Sequence, residues 1–120
     1  MNIRIGSESK QLLDGIRELF VSTREVKGQV WVQQSEFKIL CGQFSKSLTF
    51  LLQADGRLPI EDPLRSATIA LIRSLETLEK EVEDGLPIWG RVMVPQEKCL
   101  ELITQVAIDL RHAERYALGE

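Results

Sequence analysis

Apolar residues recur at three- and four-residue spacing in four segments of the chain, at about residues 7–25, 35–54, 62–84 and 95–118. This spacing is typical of amphipathic helices that bury one face. Asp62-Pro63 strengthens the third segment, because aspartate caps free helix amides and proline fits the first helical position. The pattern therefore predicts four amphipathic helices with short connections, which favour antiparallel neighbours.

A seven-residue stretch between the first two segments occurs twice. Gly28-Gln29-Val30-Trp31-Val32-Gln33-Gln34 returns 62 positions later as Gly90-Arg91-Val92-Met93-Val94-Pro95-Gln96, and the two copies share Gly-x-Val-x-Val-x-Gln. Helical positions also match at this offset, but any two amphipathic hairpins of equal length align in that way. The gapless match in the turns favours two pseudo-repeated halves, at about residues 7–54 and 62–118.

The predicted fold class is all-α. We expect a single helical domain over residues 1–120, an antiparallel four-helix bundle built from two pseudo-repeated αα-hairpins. Val30-Trp31-Val32 and Val92-Met93-Val94 are too short and too β-branched for helix, and they predict extended segments in the hairpin turns. Two such segments at one end of a bundle can pair as a short antiparallel ladder. Alternation of Ile3 and Ile5 with polar residues predicts an extended arm over residues 1–6.

Glycines inside the first two predicted helices call for a reason, since glycine costs about 1 kcal/mol against alanine in a helix. Gly15 and Gly42 stand at the same height in a hairpin centred on Gly28. One interpretation is a close approach of the first two helices. The alternative is that both glycines face solvent and are simply tolerated.

Charge and hydropathy narrow the classes of partner and location. The net charge is −3 with a pI near 5.3, and basic residues are interleaved with acids, so no cationic face for nucleic acid or for an anionic membrane is expected. The sequence contains no apolar run of about 18 residues and no secretory signal at its start. We therefore expect a cytoplasmic protein.

Residues with the chemistry of a catalytic or metal site are few. Cys41 and Cys99 lie in apolar helical patterns and are expected to be buried, reduced thiols. Asp109-x-x-His112 fits one element of a di-iron or di-manganese centre, but His112 is the only histidine, so a solvated helix end is the better interpretation. The carboxylates of residues 76–84 alternate with apolar positions as on a solvated face. We expect no enzyme, no catalytic or metal residue and no cofactor.

Both tryptophans of the chain fall in the repeated turns. Tryptophan, methionine and arginine are enriched at protein interfaces. Two interpretations remain open: these residues plug the end of the bundle, or they form a surface for a partner or ligand. The candidate surface consists of Trp31, Trp89, Arg91, Met93, Val30 and Val32.

A second set of apolar residues lies off the main helix faces and indicates an oligomer face. Its members are Ile39, Phe50, Ile69, Ile72, Leu100 and Ile108. We expect a homodimer, with another protein as a further partner and with no nucleic acid or membrane.

The function predicted from these patterns is a non-enzymatic protein–protein interaction or regulatory module that docks through apolar helix faces and the Trp/Met-bearing turns. The alternative is a small-ligand-binding helical bundle with an apolar cavity between the hairpins, gated by Trp31 and Trp89.

Overall fold

The computed structural model of the chain describes residues 5–22 and 24–117, with side chains from residue 7 onward. Over these residues the chain is mostly helical, with five helices and a small three-stranded antiparallel sheet. The elements in chain order are α1 (Ile5–Val21), β1 (Gln29–Gln33), α2 (Gln34–Ser47), α3 (Thr49–Asp55), α4 (Pro63–Glu83), β2 (Leu86–Ile88), β3 (Arg91–Pro95) and α5 (Gln96–Ala117). Of the arm predicted over residues 1–6, residues 1–4 lie outside the described part, and Ile5 and Gly6 belong to α1.

The prediction of an all-α four-helix bundle built from a helical hairpin repeat is wrong. Helices α1 and α2 are joined through β1, and α4 and α5 through β2 and β3, so neither pair is an αα-hairpin. The last helix begins at Gln96, one residue later than predicted, because Pro95 is the final residue of β3. Instead, the segment that connects the helices of each pair contains strands, and these strands belong to one shared sheet.

The second predicted helix is interrupted at Leu48, whose backbone angles are φ −92° and ψ 6°. On either side of it a hydroxyl bonds back to a helix carbonyl. Ser47 Oγ donates to the Phe44 carbonyl at 2.7 Å, and Thr49 Oγ1 donates to the Lys46 carbonyl. Such bonds compete with backbone amides for the same acceptors, which weakens a helix where they cluster.

The two copies of the repeated stretch pair with each other in the sheet, whose strand order is β1-β3-β2. Val30 lies opposite Val94 and Val32 opposite Val92, in antiparallel register. Trp31 lies opposite Met93, its own counterpart 62 positions later, so a local twofold axis passes through this pair. The antiparallel ladder expected of the two Val-x-Val segments is therefore present.

The same symmetry extends to the starts of two helices. The Gln34 amide, at the start of α2, donates to the Gly90 carbonyl at 3.1 Å, and the Gln96 amide, at the start of α5, donates to the Gly28 carbonyl at 2.9 Å. The first amides of a helix have no acceptor within it. The glycine directly before each strand thus supplies an acceptor to the helix that follows the other strand.

Two tight turns precede the paired strands. Lys27-Gly28 and Trp89-Gly90 have positive φ at both residues, 54° and 79° in the first turn and 51° and 78° in the second. Two central residues with positive φ are what a two-residue type I′ hairpin turn requires. The first turn joins the Val26–Gln29 bridge, and the second joins β2 to β3.

The sheet lies at the end of the helices where α2 and α5 begin. There the Gln96 side-chain amide donates to the Phe20 carbonyl at 2.9 Å, and the rings of Phe20 and Phe37 meet edge to face at 6.0 Å. One buried apolar cluster joins the inner face of the sheet to all five helices; its largest fully buried members include Ile16, Phe20, Val30, Val32, Phe44, Leu48, Leu51, Leu71, Leu78, Val82, Val92 and Ile103.

The start of α4 follows the sequence prediction. The Asp62 side chain accepts a hydrogen bond from the Leu64 amide at 2.8 Å, and Pro63 is the first helical residue. The glycine prediction fares differently. A Cβ at Gly42 would meet no atom within 4 Å, and one at Gly15 would only touch Leu40 at 3.8 Å. Close helix approach therefore does not explain Gly42.

Gly85 is the glycine that the packing requires. A Cβ there would lie 2.8 Å from the Met93 carbonyl oxygen and 2.8 Å from Val94 Cγ1, both on β3. We predict that Gly85→Ala lowers the free energy of unfolding by about 1–3 kcal/mol, as overpacking does. The control is Gly42→Ala, which removes glycine from α2 without a clash and should raise it by about 0.5–1 kcal/mol. Urea denaturation measures both, and a Gly85→Ala protein as stable as the wild type would contradict this packing.

Candidate functional site

Alternation along the paired strands sends their side chains to two different environments. Val30 and Val32 on β1, and Val92 and Val94 on β3, point into the core. Trp31 points to the other side and is half-buried, as is Met93 opposite it. Successive strand residues face opposite sides of a sheet. Burial of the four valines therefore turns the Trp31–Met93 pair outward.

Strand β2 enlarges this outward surface. Leu86 pairs with Met93 and Ile88 with Arg91, so both apolar residues lie on the outward side. Leu86 is 58% exposed and Ile88 is 43% exposed. We refer to Trp31, Leu86, Ile88 and Met93, with Trp89 in the adjoining turn, as the sheet face.

Trp89 is the most exposed large apolar residue of the described chain, with 98% of its surface accessible. It also has a φ of 51°, in the left-handed region that costs a bulky side chain about 1–2 kcal/mol. No burial of the indole within the described chain compensates either its exposure to water or its backbone conformation. The turn therefore holds a tryptophan in solvent in an unfavourable backbone conformation.

The two ends of the sheet face differ in polarity. At the β2 end the turn carries Trp89, preceded by Leu86 and Ile88. At the β1 end the corresponding positions are Lys27, Arg24 and Val26, and all three are exposed. Because the backbone at the two turns is alike, the turn itself requires neither Trp89 nor Leu86, whose counterparts are Lys27 and Arg24.

The candidate surface predicted from the sequence is only partly brought together. Trp31 and Met93 form its centre, Trp89 and Arg91 are exposed beside it, and Val30 and Val32 point into the core and take no part. Leu86 and Ile88 were missed. Their alternation directly before Trp89-Gly90 is a hairpin signal, although Pro87 between them is unfavourable inside a sheet.

The candidate oligomer face is spread over several elements. Ile39, Phe50 and Ile108 are exposed, whereas Ile69, Ile72 and Leu100 are half-buried. Ile108 lines a cavity between α1 and α5, and Ile72 lines another beside α4, with no lining residue in common. Ile108 and Ile72 therefore lie at different grooves, and the oligomer face and the homodimer stay predictions.

The tryptophans do not share the cavity nearest to them. A cavity of about 500 Å³ is lined by Trp89, Gly90 and Arg91 together with Gln33, Gln34, Ser35 and Lys38. Five of its seven lining residues are polar or charged, and Trp31 is not among the seven. This geometry gives no support to an apolar ligand cavity gated by both tryptophans.

The Asp109-x-x-His112 element noted in the sequence does not form part of a metal site within the described residues. The Asp109 carboxylate accepts hydrogen bonds from the Ser74 hydroxyl and, at 3.2 Å, from the Gln105 amide, while His112 is exposed. Across residues 5–22 and 24–117, no three His, Cys, Asp or Glu side chains gather as a set of metal ligands.

Both thiols are buried and free. Burial, and after it the negative charge of Glu79, raises the pKa of Cys41 to about 12. Burial also raises the pKa of Cys99 to about 12, with a smaller contribution from Glu81 in the same direction. The thiolate is the reactive form, so both side chains act as small hydrophobic residues near neutral pH.

Comparison of the chain with protein-family models, with curated proteins and with solved structures gives no match. Within the described residues, no helix has both the length and the hydropathy needed to cross a bilayer.

The buried thiols give a direct test of the core. We predict that Ellman's reagent reacts with neither Cys41 nor Cys99 in the native protein near neutral pH, and with both in guanidinium chloride. The physical reason is that a thiol with a pKa of about 12 is almost fully protonated and is screened from the reagent. Absorbance of the released thiolate measures the reaction. Fast reaction of either thiol before unfolding would contradict the packing described.

The strained turn gives a second test. Asparagine tolerates positive φ and is favoured before glycine in type I′ turns. Trp89→Asn should therefore raise the free energy of unfolding by about 1 kcal/mol, since little packing is lost from a side chain so exposed. Lys27→Asn makes the same change in the equivalent turn and should act in the same direction. If Trp89→Asn destabilises the protein in urea denaturation, Trp89 packs within the chain after all.

Proposed function

We propose that the chain is a non-enzymatic interaction module that docks a partner protein on the sheet face, with Trp89 as the anchoring residue. The observation that carries this proposal is the 98% exposure of Trp89 at a turn position that disfavours it. Strained residues cluster at functional sites, and Trp89 differs from the equally strained Lys27 in exposing a large apolar side chain. Tryptophan is also the residue type most enriched among those that dominate binding energy.

The neighbours of Trp89 supply the rest of an interface core. Trp31 and Met93 form a half-buried pair at the centre of the sheet face, and Leu86 and Ile88 extend it towards the turn. A tryptophan can bury about 150–250 Å². Two tryptophans with three aliphatic side chains around them therefore supply a large part of the roughly 800 Å² that each partner buries in a standard interface.

The chemistry of the sheet face indicates what the partner presents. The face is open and lacks the enclosing walls of a small-ligand site. Arg91 is exposed at its rim, opposite Ile88. A fitting partner is a protein with an apolar pocket for the Trp89 indole and a carboxylate within reach of Arg91. This proposal moves the docking surface from the helix faces to the sheet.

Two further proposals accompany it. A cytoplasmic location suits a chain whose two cysteines are free and buried. A homodimer is proposed from the second set of apolar helix residues, and light scattering after size exclusion tests it directly. Neither proposal depends on the identity of the partner.

The test of the docking proposal compares two turn variants. Wild type, Trp89→Asn and Lys27→Asn are immobilised in equal amounts, exposed to an extract of the source organism, and the retained proteins are quantified by mass spectrometry. A protein retained by wild type and by Lys27→Asn, but reduced on the order of 30-fold on Trp89→Asn, is the expected result, because loss of an interface anchor costs at least about 2 kcal/mol.

The Lys27→Asn protein separates binding from stability, since both variants relieve the same turn strain. Retention of the same proteins by all three, at equal levels, would contradict a docking role for Trp89. Retention of the chain's own copies alone would replace the foreign partner with a homodimer on this face.

A further inference from the structure

Two grooves between helices are lined by corresponding positions of the chain. A cavity of about 520 Å³ between α1 and α5 is lined by Leu13, Asp14, Arg17 and Leu110, among others. Between α2–α3 and α4 lie two adjacent cavities, of about 310 and 270 Å³, which share Ser45 and Glu79. Their lining contains the residues 62 positions away from the first set: Leu75, Glu76, Glu79 and Leu48.

The floors of the two grooves are alike, but their rims differ. Where the α1–α5 groove has Arg17 and Lys10, the other groove has Glu79 and Ile72. Where it has Glu114, the other has Leu52. All of these rim residues lie on helices, so the different residues at the second groove are not needed to form its helices. They make the second groove, which we call the acidic groove, both more apolar and more negative than the first.

The carboxylates of the acidic groove form a row on α4. Glu76, Glu79 and Glu83 follow one another at three- and four-residue spacing. Glu79 lines both cavities, Glu76 lines the smaller one, and Glu83 lines the larger one together with Lys38 of α2. The ion pairs found among the described residues, Arg65–Asp55 and Lys98–Glu81, involve none of the three. Burial raises the pKa of Glu79, and the charges of Glu76 and Glu83 raise it further. The row thus sets three negative charges against one positive charge, that of Lys38, among the residues that line the two cavities.

The shape of the groove suits a helix. Its wall on α4 runs from Leu71 to Val82, roughly 17 Å at the rise of an α-helix, which is about three turns. On the facing wall, Gly42 leaves open space where a side chain would stand. Side chains at i, i+3, i+4 and i+7 of a docked helix have the spacing that such an apolar floor accepts.

We propose that the acidic groove binds a basic amphipathic helix of a partner protein, distinct from the partner of the sheet face. Its apolar side chains lie over Leu52 and Ile72, and its lysines or arginines pair with Glu76, Glu79 and Glu83. Charge complementarity selects this occupant over an acidic helix, since like charges facing each other across an interface are strongly unfavourable.

The test uses two synthetic peptides of roughly 18 residues. The first has leucine on one helix face and lysine elsewhere, and the second has glutamate in place of lysine. A peptide of this length can form a helix that fills the groove. Fluorescence anisotropy with the full chain measures binding. We expect the lysine peptide to bind at least tenfold more tightly than the glutamate peptide. Glu79→Arg, which copies the residue at position 17, should weaken the lysine peptide at least tenfold.

The control is Glu101→Arg, which changes the net charge equally but lies on α5 outside the groove. If the peptide pairs with the groove, Glu101→Arg should bind the lysine peptide within about twofold of wild type. If only the net charge of the protein attracted the peptide, Glu101→Arg would weaken binding as much as Glu79→Arg does. Glu79→Gln, a milder change, should weaken binding in the same direction, and circular dichroism confirms that each variant is folded. Equal binding of both peptides, or equal effects at positions 79 and 101, would overturn the proposal.

Trp89→Asn should leave peptide binding unchanged, so the proposal for the groove and the proposal for the sheet face are tested separately.

Discussion

Four valines are buried by the antiparallel pairing of β1 with β3, and the rest of the structure depends on that pairing. Val30, Val32, Val92 and Val94 each remove a branched side chain from water, which contributes about 1.5–3 kcal/mol per residue. Gly28 and Gly90, directly before these strands, supply acceptors to the first amides of α5 and α2. The pairing therefore joins the two helix pairs, seals one end of their core and fixes where two helices begin.

The outward side of the sheet is a consequence of this burial. With alternate residues committed to the core, Trp31 and Met93 must point away from the helices, and β2 adds Leu86 and Ile88 beside them. The turn chemistry then leaves Trp89 in solvent. Within the described residues no element covers this surface. An uncovered apolar sheet next to an exposed tryptophan is the physical basis for proposing a docking module rather than a ligand cavity or an enzyme.

Sequence reasoning recovered the features that depend on local chemistry. Periodicity located the helical segments, Asp62-Pro63 marked the start of α4, and the duplicated Val-x-Val stretch indicated the ladder between β1 and β3. It failed where tertiary contacts decide. The three residues of β2 include Pro87 and carry a weak strand pattern of their own, so this strand depends on its pairing with β3. Hydroxyl bonds near Leu48 ended α2 inside an unbroken apolar stripe. Val30 and Val32 were placed on the candidate surface. Which side of a strand faces the core depends on where the helices pack, and the local sequence does not give that.

Solvent accessibility of individual side chains tests the central claim most directly, because the pairing sets which residues face water. Nuclear magnetic resonance relaxation in the presence of a soluble gadolinium chelate reports this accessibility for each labelled group. The structure predicts strong relaxation of the Trp89 indole, intermediate relaxation of Trp31, and almost none for the methyl groups of the four paired valines. A protected Trp89 indole, or strong relaxation of Val30 or Val92 methyl groups, would contradict the account.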